Sequence, residues 1–491
     1  MNMTQPSTIG LALIVGCAVG SQPASGQASD PLLFPKDGYA LETVTVRTSA
    51  GERSVTYRSY LHVPYVANPV DRDYQSLDVS VPIEVDGVAI DATNAPVLFN
   101  VTVGGYMSVN NAVAGRGGPQ HGAPPGAVSS RRDLALAAGY VVVTPGARGR
   151  DNQAADGTYY GKAPAAIVDL KAAVRYIRYN DGVMPGNADW IVSVGCSAGG
   201  ALSALLGASG NSPRYDAYLQ EIGAAEADDD VFASACYSPI ADLDHSDMSY
   251  EWMYGDTPTR SGLVDQGLSR QLRVSYGEYQ QALGLDGKNG FGRLTASNYD
   301  TYLLQYYLIP SVNTYLNGLT EEAHREYLAS NPWIAWTGNG ATFSFPDYVT
   351  HVGRMKGLPA FDDFDMRAPE PGLFGNDTTN ARHFTNFSLR HSSGDPSAEI
   401  DGDLEDVVNL MNPMYFLQRD DSDVAAHWWL RNGSSDNHTS QTVVVNLATI
   451  LENRGKDVNA WMFWDGGHCA DDDPEGLVEW IGDITGYRLE D

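Results

Sequence analysis

The spacing of apolar and polar positions divides the chain into three stretches. Near the start, residues 41–47, 54–66 and 75–85 alternate or are rich in β-branched side chains, which predicts strands. From residue 95 the pattern changes. Residues 95–103 (APVLFNVTV) form a continuous apolar run, the mark of a buried strand, and end in Gly104-Gly105. A loop rich in Gly and Pro spans 106–128, and a short helix is predicted at 131–138. Apolar strands at 140–144 (YVVVT), 189–194 (DWIVSV) and 231–237 then alternate with helical periodicity at 165–179 and 201–208. Between about 245 and 400 the alternation stops, and the chain is rich in Tyr, Asn and Gly with short helical pieces. It resumes with a strand at 427–430 (HWWL), a helix at 440–454, a strand at 458–464 and a last helix at 476–486.

Strands alternating with helices imply an α/β fold with a parallel sheet covered on both faces. A structureless loop as long as 245–400 is improbable inside a compact domain, so this stretch reads as a lid or cap. No Gly/Ser linker sets it apart. The expected organisation is an α/β core at 29–244 and 401–491, with a lid inserted at 245–400 before the last two strands.

Composition narrows the functional classes. Apolar residues make up 43% of the 491 and charged residues 19%, which excludes a disordered chain. The net charge of -30 argues against nucleic acid and anionic membranes as partners. Residues 1–28 carry no charge and contain a short apolar run followed by small residues near Ala28, the pattern of a secretory signal. The run lacks the usual basic start, and Ile14-Val15-Gly16-Cys17 resembles a lipoprotein cleavage box. The expectation is therefore an exported protein, cleaved or lipid-anchored at Cys17. No later segment is long and apolar enough to cross a membrane.

The candidate chemistry centres on Gly195-Cys196-Ser197-Ala198-Gly199. The motif alone is a weak signal in a chain with 51 glycines. Its context gives it weight, because it directly follows a predicted strand and directly opens a predicted helix, as a nucleophile elbow must. The alternative is a glycine-rich turn with a surface serine. A serine nucleophile needs a base and an orienting acid, which in this fold follow in the order Ser, Asp or Glu, His. His468 lies in the loop after the 458–464 strand, where the base belongs, whereas His427 begins a strand and His351, His383 and His391 fall in the insertion. Asp436 stands in the loop after the HWWL strand and fits the acid. The backbone N–H of Ala198 is one expected oxyanion donor, and Gly105, with Tyr106 as its neighbour, is the other. Cys196 precedes Ser197 and Cys469 follows His468, so a serine and histidine in contact would bring the cysteines within bridging range of about 6 Å. A Cys196–Cys469 disulfide is expected, against the alternative of two reduced thiols, and Cys236 is left as a buried free thiol.

Several motifs together resemble bacterial subtype B tannases. They are the run from Ser197 to Ser212, Gly104-Gly105-Tyr106-Met107, Tyr250-Glu251-Trp252, Arg354-Met355-Lys356, Pro359-Ala360-Phe361-Asp362 and Leu373-Phe374-Gly375. The likeness spans about residues 95–475. It implies an α/β-hydrolase fold with a large lid, a galloyl ester substrate and a triad of Ser197, Asp436 and His468. The Cys-Ser, Asp, His-Cys arrangement is also similar to the wider tannase and feruloyl esterase group, where those cysteines are bridged. The resemblance assigns Lys356 and Glu370 to the galloyl hydroxyls, which an ammonium and a carboxylate can serve as donor and acceptor. Where the family carries a second aspartate, two residues after the triad acid, this chain has His438, which makes a hydroxycinnamate such as ferulate the alternative acid.

Other classes fit less well. A peptidase of this fold would need an anchor for an amine or carboxylate, and none is recognisable. A catalytically silent binding protein would be expected to lack a triad member. Asp242, Asp244, His245 and Asp247 read as the polar entry to the insertion, because their spacing is not that of a metal ligand set. The expected partner is a small phenolic ester, and the chemistry requires no cofactor.

Overall fold

The computed structural model describes residues 30–110 and 129–489, so the expected export signal and the lipoprotein-like box at Cys17 lie outside the described residues. One ten-stranded sheet organises the chain. Its strands are β1 (Ala40–Thr48), β2 (Gly51–Pro64), β3 (Ser76–Val85), β4 (Val88–Ala89), β5 (Val97–Val101), β6 (Val141–Pro145), β7 (Ile191–Cys196), β8 (Ala233–Tyr237), β9 (His427–Gly433) and β10 (Asp457–Phe463). The order across the sheet is β1-β2-β3-β6-β5-β7-β8-β9-β10, with β4 paired to β3. The first strands pair antiparallel, and β6 through β10 pair parallel.

The strand pattern explains the layers. Val97, Phe99 and Val101 of β5 face one core, while Leu98 faces the other. Val141 and Val143 of β6 likewise oppose Val142. A strand buried on both faces has no polar side, which is why these runs read as continuously apolar. The helix Ala165–Tyr179 is buried along most of its length, so its charged side chains must be paired inside. Asp169 meets Arg148 at 2.8 Å and Lys171 meets Asp229 at 2.6 Å.

Between β8 and β9 no strand joins the main sheet among the described residues. The segment is mainly helical, from Leu243–Tyr254 to Pro413–Leu417. Two of its helices, Gly402–Leu410 and Pro413–Leu417, follow residue 400, so the helical stretch runs beyond the point where the sequence pattern placed its end. Tyr299, Tyr302, Tyr348 and Phe361 from this segment share one apolar cluster with β5 and with the helix Ala198–Ala208. The insertion is therefore packed onto the core and not tethered beside it. Among the described residues no helix is long and apolar enough to cross a membrane.

Register brings the functional loops to one edge. Val101 at the end of β5 pairs with Gly195, Cys196 with Tyr237 at the end of β8, and Gly433 with Phe463 at the ends of β9 and β10. The loops bearing Gly104–Tyr106, Ser197, Asp436 and His468 thus leave the same carboxyl edge of the sheet, where α/β folds bind their ligands.

Candidate active site

Ser197 sits between β7 and the helix Ala198–Ala208 with φ 60° and ψ -124°, a conformation that non-glycine residues rarely adopt. Close packing around it explains the flanking glycines. A Cβ on Gly195 would come within 2.2 Å of the Gly199 carbonyl oxygen, and one on Gly199 within 2.8 Å of the Val103 oxygen. The same contact seats the end of the Gly104–Tyr106 approach against the start of the nucleophile helix.

His468 Nε2 lies 2.8 Å from Ser197 Oγ, and His468 Nδ1 lies 2.9 Å from Asp436 Oδ2. With Asp436 ionised, Nδ1 carries the proton and Nε2 is free to accept one from the serine. Burial works to raise the Asp436 pKa, but His468, the His438 backbone N–H and the Ser238 hydroxyl together hold it below the ordinary carboxylate range. The acid and base loops are also tied through the backbone: Ser434 N–H donates to the Phe463 carbonyl at 2.8 Å, and Ser435 N–H to the Gly466 carbonyl at 2.9 Å.

Cys196 and Cys469 form a disulfide with a Cα–Cα separation of 5.7 Å, as the sequence predicts. It joins the residue before the serine to the residue after the histidine. Cys236 is free and buried, and burial pushes its thiol up to about 12.

The two residues expected to donate to an oxyanion differ in how they are held. The Ala198 N–H opens its helix and has no acceptor within it. Gly105 has φ +55° and Tyr106 also has φ 55°, and no described residue accepts from either amide. The Arg150 guanidinium fixes this loop by donating from Nε to the Gly105 carbonyl at 2.8 Å. Tyr106 is itself buried and donates its hydroxyl to the Ile240 carbonyl at 2.8 Å.

His438 lies against this centre, and Lys356 is within electrostatic reach of Asp436 and of Glu370. The His438 ring stacks on His468 with centroids 4.0 Å apart and 9° between planes. Burial, the neighbouring His468 and Lys356 lower its pKa, so His438 is neutral at pH 7. It therefore offers a donor and an acceptor but no negative charge. Lys356 places its ammonium 3.4 Å from the Phe361 ring centroid. Burial lowers its pKa, while Glu370, Asp247 and Asp436, all within electrostatic reach, oppose that shift. Glu370 is buried and its Oε2 has no hydrogen-bond partner among the described residues. Burial raises its pKa against the pull of Lys356 and Arg150. The helix that carries Glu370 is tied to the loop expected to hold an oxyanion, because Lys162 bridges the Gly372 and Arg150 carbonyls and Arg150 in turn donates to Gly105. The arrangement is a serine–histidine–aspartate relay with a half-buried ammonium, and a buried, unmatched carboxylate within electrostatic reach of that ammonium.

Four other histidines are occupied elsewhere. His351 pairs with Asp465 at 2.8 Å, His383 with Asp362 at 2.8 Å and His427 with Asp457 at 2.7 Å. His391 hydrogen-bonds the Phe387 carbonyl at 2.8 Å. In the acidic entry to the insertion, Asp242 meets His245 at 2.8 Å, and Asn412 donates to both Asp242 and Asp244. Asp247 accepts from the Phe361 and Asp362 backbone amides at 2.7 and 3.2 Å.

Three contributors escaped the sequence reading. Ser238 lies beside Asp436 and accepts from the Cys469 N–H at 3.0 Å, and its only sequence signal is a Ser-Pro turn after β8. Arg150 holds the Gly105 loop, and no local motif marks it. Lys162 donates to the carbonyls of Arg150 and Gly372 and to Asn380 Oδ1 at 2.7–2.9 Å, and burial lowers its pKa to about 8. It links the Arg150 loop to the helix Pro369–Leu373 that carries Glu370.

Known proteins share this fold. A tannase from Fusobacterium nucleatum superposes with a TM-score of 0.80 at 35% identity, covering 92% of this chain and 99% of that one. Tannin acyl hydrolase from Lactobacillus plantarum gives 0.78 at 32% identity, over 92% of this chain and 98% of its own. A tannin acyl hydrolase solved with ethyl gallate gives 0.79 at 33% identity over the same shares. The BD-FAE family model matches residues 120–267. The esterase LipC of Mycobacterium tuberculosis is 35% identical over 102 residues, which is 21% of this chain and 22% of that protein. The match to LipC, unlike those to the solved tannases, thus spans about a fifth of its length. On the extent of likeness to the solved tannases, this chain belongs to the bacterial tannase family of α/β-fold carboxylic ester hydrolases.

Proposed function

We propose that the protein is a serine esterase that releases gallate from galloyl esters through an acyl-enzyme. What supports this reading is that Lys356 and Glu370 stand on segments tied to the site loops: the Lys356 N–H donates to Tyr250, whose hydroxyl donates to the Asn437 carbonyl beside Asp436, and Lys162 ties Gly372 to the Arg150 segment that holds Gly105. A ring bearing several hydroxyls needs both an acceptor and a donor, and a buried carboxylate with a half-buried ammonium in electrostatic reach provides them. One relative was solved with ethyl gallate and another with 3,4-dihydroxybenzoate, which supports a phenolic acid as the acyl group.

The chemistry follows from the relay. As Ser197 Oγ attacks the ester carbonyl, its proton passes to His468 Nε2, 2.8 Å away. Negative charge develops on the carbonyl oxygen, and the N–H groups of Ala198 and of the Gly105 loop receive it, each worth about 3 kcal/mol in comparable sites. Asp436 steadies the imidazolium without taking its proton. The tetrahedral intermediate collapses, His468 gives the proton to the departing alkoxide, and the galloyl group remains on Ser197. Water then attacks with His468 as base, and gallate and free Ser197 are restored.

His438 favours a second reading, a hydroxycinnamoyl esterase, because a neutral imidazole supplies no negative charge to additional phenol hydroxyls. Hydrolysis of methyl gallate beside methyl ferulate, with Ser197→Ala as the blank, separates the two. Preference for gallate supports the proposal, preference for ferulate replaces it, and no turnover of either refutes both. Export is part of the proposal: the charge-free segment at 1–28 and the Cys196–Cys469 disulfide both suit an oxidising compartment.

A further inference from the structure

The lysine that meets the substrate lies in the insertion, whereas the triad acid lies in the core, and a recognition site is only as sharp as the link between them. One side chain ties Lys356 itself to the loop of the triad acid. Tyr250, on the helix Leu243–Tyr254, donates its hydroxyl to the Asn437 carbonyl at 3.1 Å. Asn437 stands between Asp436 and His438. The same oxygen accepts the backbone N–H of Met355 at 3.2 Å and of Lys356 at 3.0 Å. A phenol has one donor and two acceptor positions, so the hydroxyl is fully used.

Neighbouring contacts close the frame around it. Arg354 donates from Nε to the Lys356 carbonyl at 2.8 Å and is locked against Glu251, the residue after Tyr250, in a buried pair. The Tyr250 ring meets Phe361 edge-on at 6.3 Å, and Phe361 is the ring that carries the Lys356 ammonium. Asn437 returns the contact to the insertion by donating to the Gly353 carbonyl at 3.2 Å. The backbone of Lys356 directly, and its ammonium through Phe361, are thus both referred to Tyr250.

We infer that Tyr250 is the positioning residue that sets Lys356 in register with the triad loop, so that recognition of the phenol ring is coupled to the catalytic geometry. Tyr250 does not touch the reacting atoms. Its hydroxyl acts through Lys356 and Asn437, and its loss loosens ring recognition before it harms the relay. This inference rests on the reading that Lys356 contacts a ring hydroxyl.

The test compares Tyr250→Phe, Lys356→Met and the double variant on methyl gallate and methyl benzoate, whose ring has no hydroxyls. For Tyr250→Phe the KM for methyl gallate should rise about tenfold, the loss of roughly one well-placed hydrogen bond, and the gallate-to-benzoate ratio of kcat/KM should fall by about the same factor. In the Lys356→Met background the added Tyr250→Phe change should leave that ratio where it is. Equal losses on both esters would mean a purely structural tyrosine and would overturn the inference. So would effects that multiply in the double variant, which would make Tyr250 independent of the lysine. If Lys356→Met itself leaves the ratio unchanged, the galloyl reading fails and this inference falls with it, a result distinct from the other two. Should Tyr250→Phe not fold, 3,5-difluorotyrosine at position 250 keeps the shape and weakens the accepting oxygen. It should raise the KM for methyl gallate selectively, and an unchanged KM would overturn the inference.

Discussion

Glu370→Gln tests the site most directly, because structure and electrostatics set opposite expectations for activity and stability. In the free protein Glu370 is buried and Oε2 lacks a partner, so it carries an unmet acceptor worth about 1–3 kcal/mol. A phenol hydroxyl entering the pocket would satisfy it. Glutamine keeps the shape and removes the charge. Hydrogen bonds to charged groups contribute about 1.5–3 kcal/mol and neutral ones about 0.5–1.5, so the change costs binding on the order of 1.4 kcal/mol, or tenfold. The gallate-to-benzoate ratio of kcat/KM should fall by about that factor.

Stability should move the other way. The folded-state pKa of Glu370 is raised, chiefly by burial. A raised carboxyl contributes stability that is full below its unfolded pKa and is lost as pH rises through the folded value. At neutral pH the folded enzyme therefore bears a desolvated charge that glutamine lacks, and the Tm of the variant should equal or exceed that of the parent. The pH profile adds a third readout. In the parent, the gallate-to-benzoate ratio should fall on the acid side as Glu370 takes up a proton, at a pH above the ordinary carboxylate range. In the variant the ratio should be flat there. Equal loss of kcat/KM on both esters, or a lower Tm at pH 7, would refute the assignment of Glu370 as the ring acceptor.

Other expectations follow from single contacts. Cys196→Ser, or reduction of the parent with dithiothreitol, should lower stability by up to about 5 kcal/mol, since the bridge closes a loop of 273 residues, and should depress kcat more than KM. Full kcat in the reduced enzyme would show that the clamp does not position Ser197 and His468. Asp247 is buried beside Asp362, and burial raises its pKa to about 7. The parent should therefore lose stability as pH rises from about 4 through about 7, by no more than an order of 4 kcal/mol, and Asp247→Asn should flatten that slope in urea melts. Gly199→Ala should abolish active enzyme, because its Cβ would press on the Val103 and Val101 carbonyl oxygens at 2.8 and 2.9 Å, and normal turnover would contradict the packing described for the elbow.

These tests bear on residues that differed in how legible they were from the sequence. Strands buried on both faces, such as Val97–Val101 and Val141–Pro145, announced themselves as unbroken apolar runs. The triad was readable for a related reason: nucleophile, acid and base each follow a strand of the same sheet, so chain order alone located Ser197, Asp436 and His468. Errors arose where a local side-chain contact overrode an apolar pattern. Asp189 and Trp190 look like the start of a strand, yet they form a 3-10 turn because the Asn187 side chain accepts from the Asp189 N–H at 2.9 Å. The helices after residue 400 were missed because nothing in composition marks where a docked insertion returns to its core.

The supports of the site were hidden for a deeper reason. Arg150 and Tyr250 act through backbone carbonyls and amides far away in the sequence, and any residue type can offer those groups. Side-chain motifs reveal what reacts, because the chemistry restricts residue identity. They say little about what holds the reacting groups in place, because the partner there is the peptide backbone itself. The consequence for this enzyme is specific. Its triad could be copied into another scaffold from sequence alone, but the register between Lys356 and Asp436 could not, since it passes through side chains such as the Tyr250 phenol, whose hydroxyl touches only main-chain atoms of both loops.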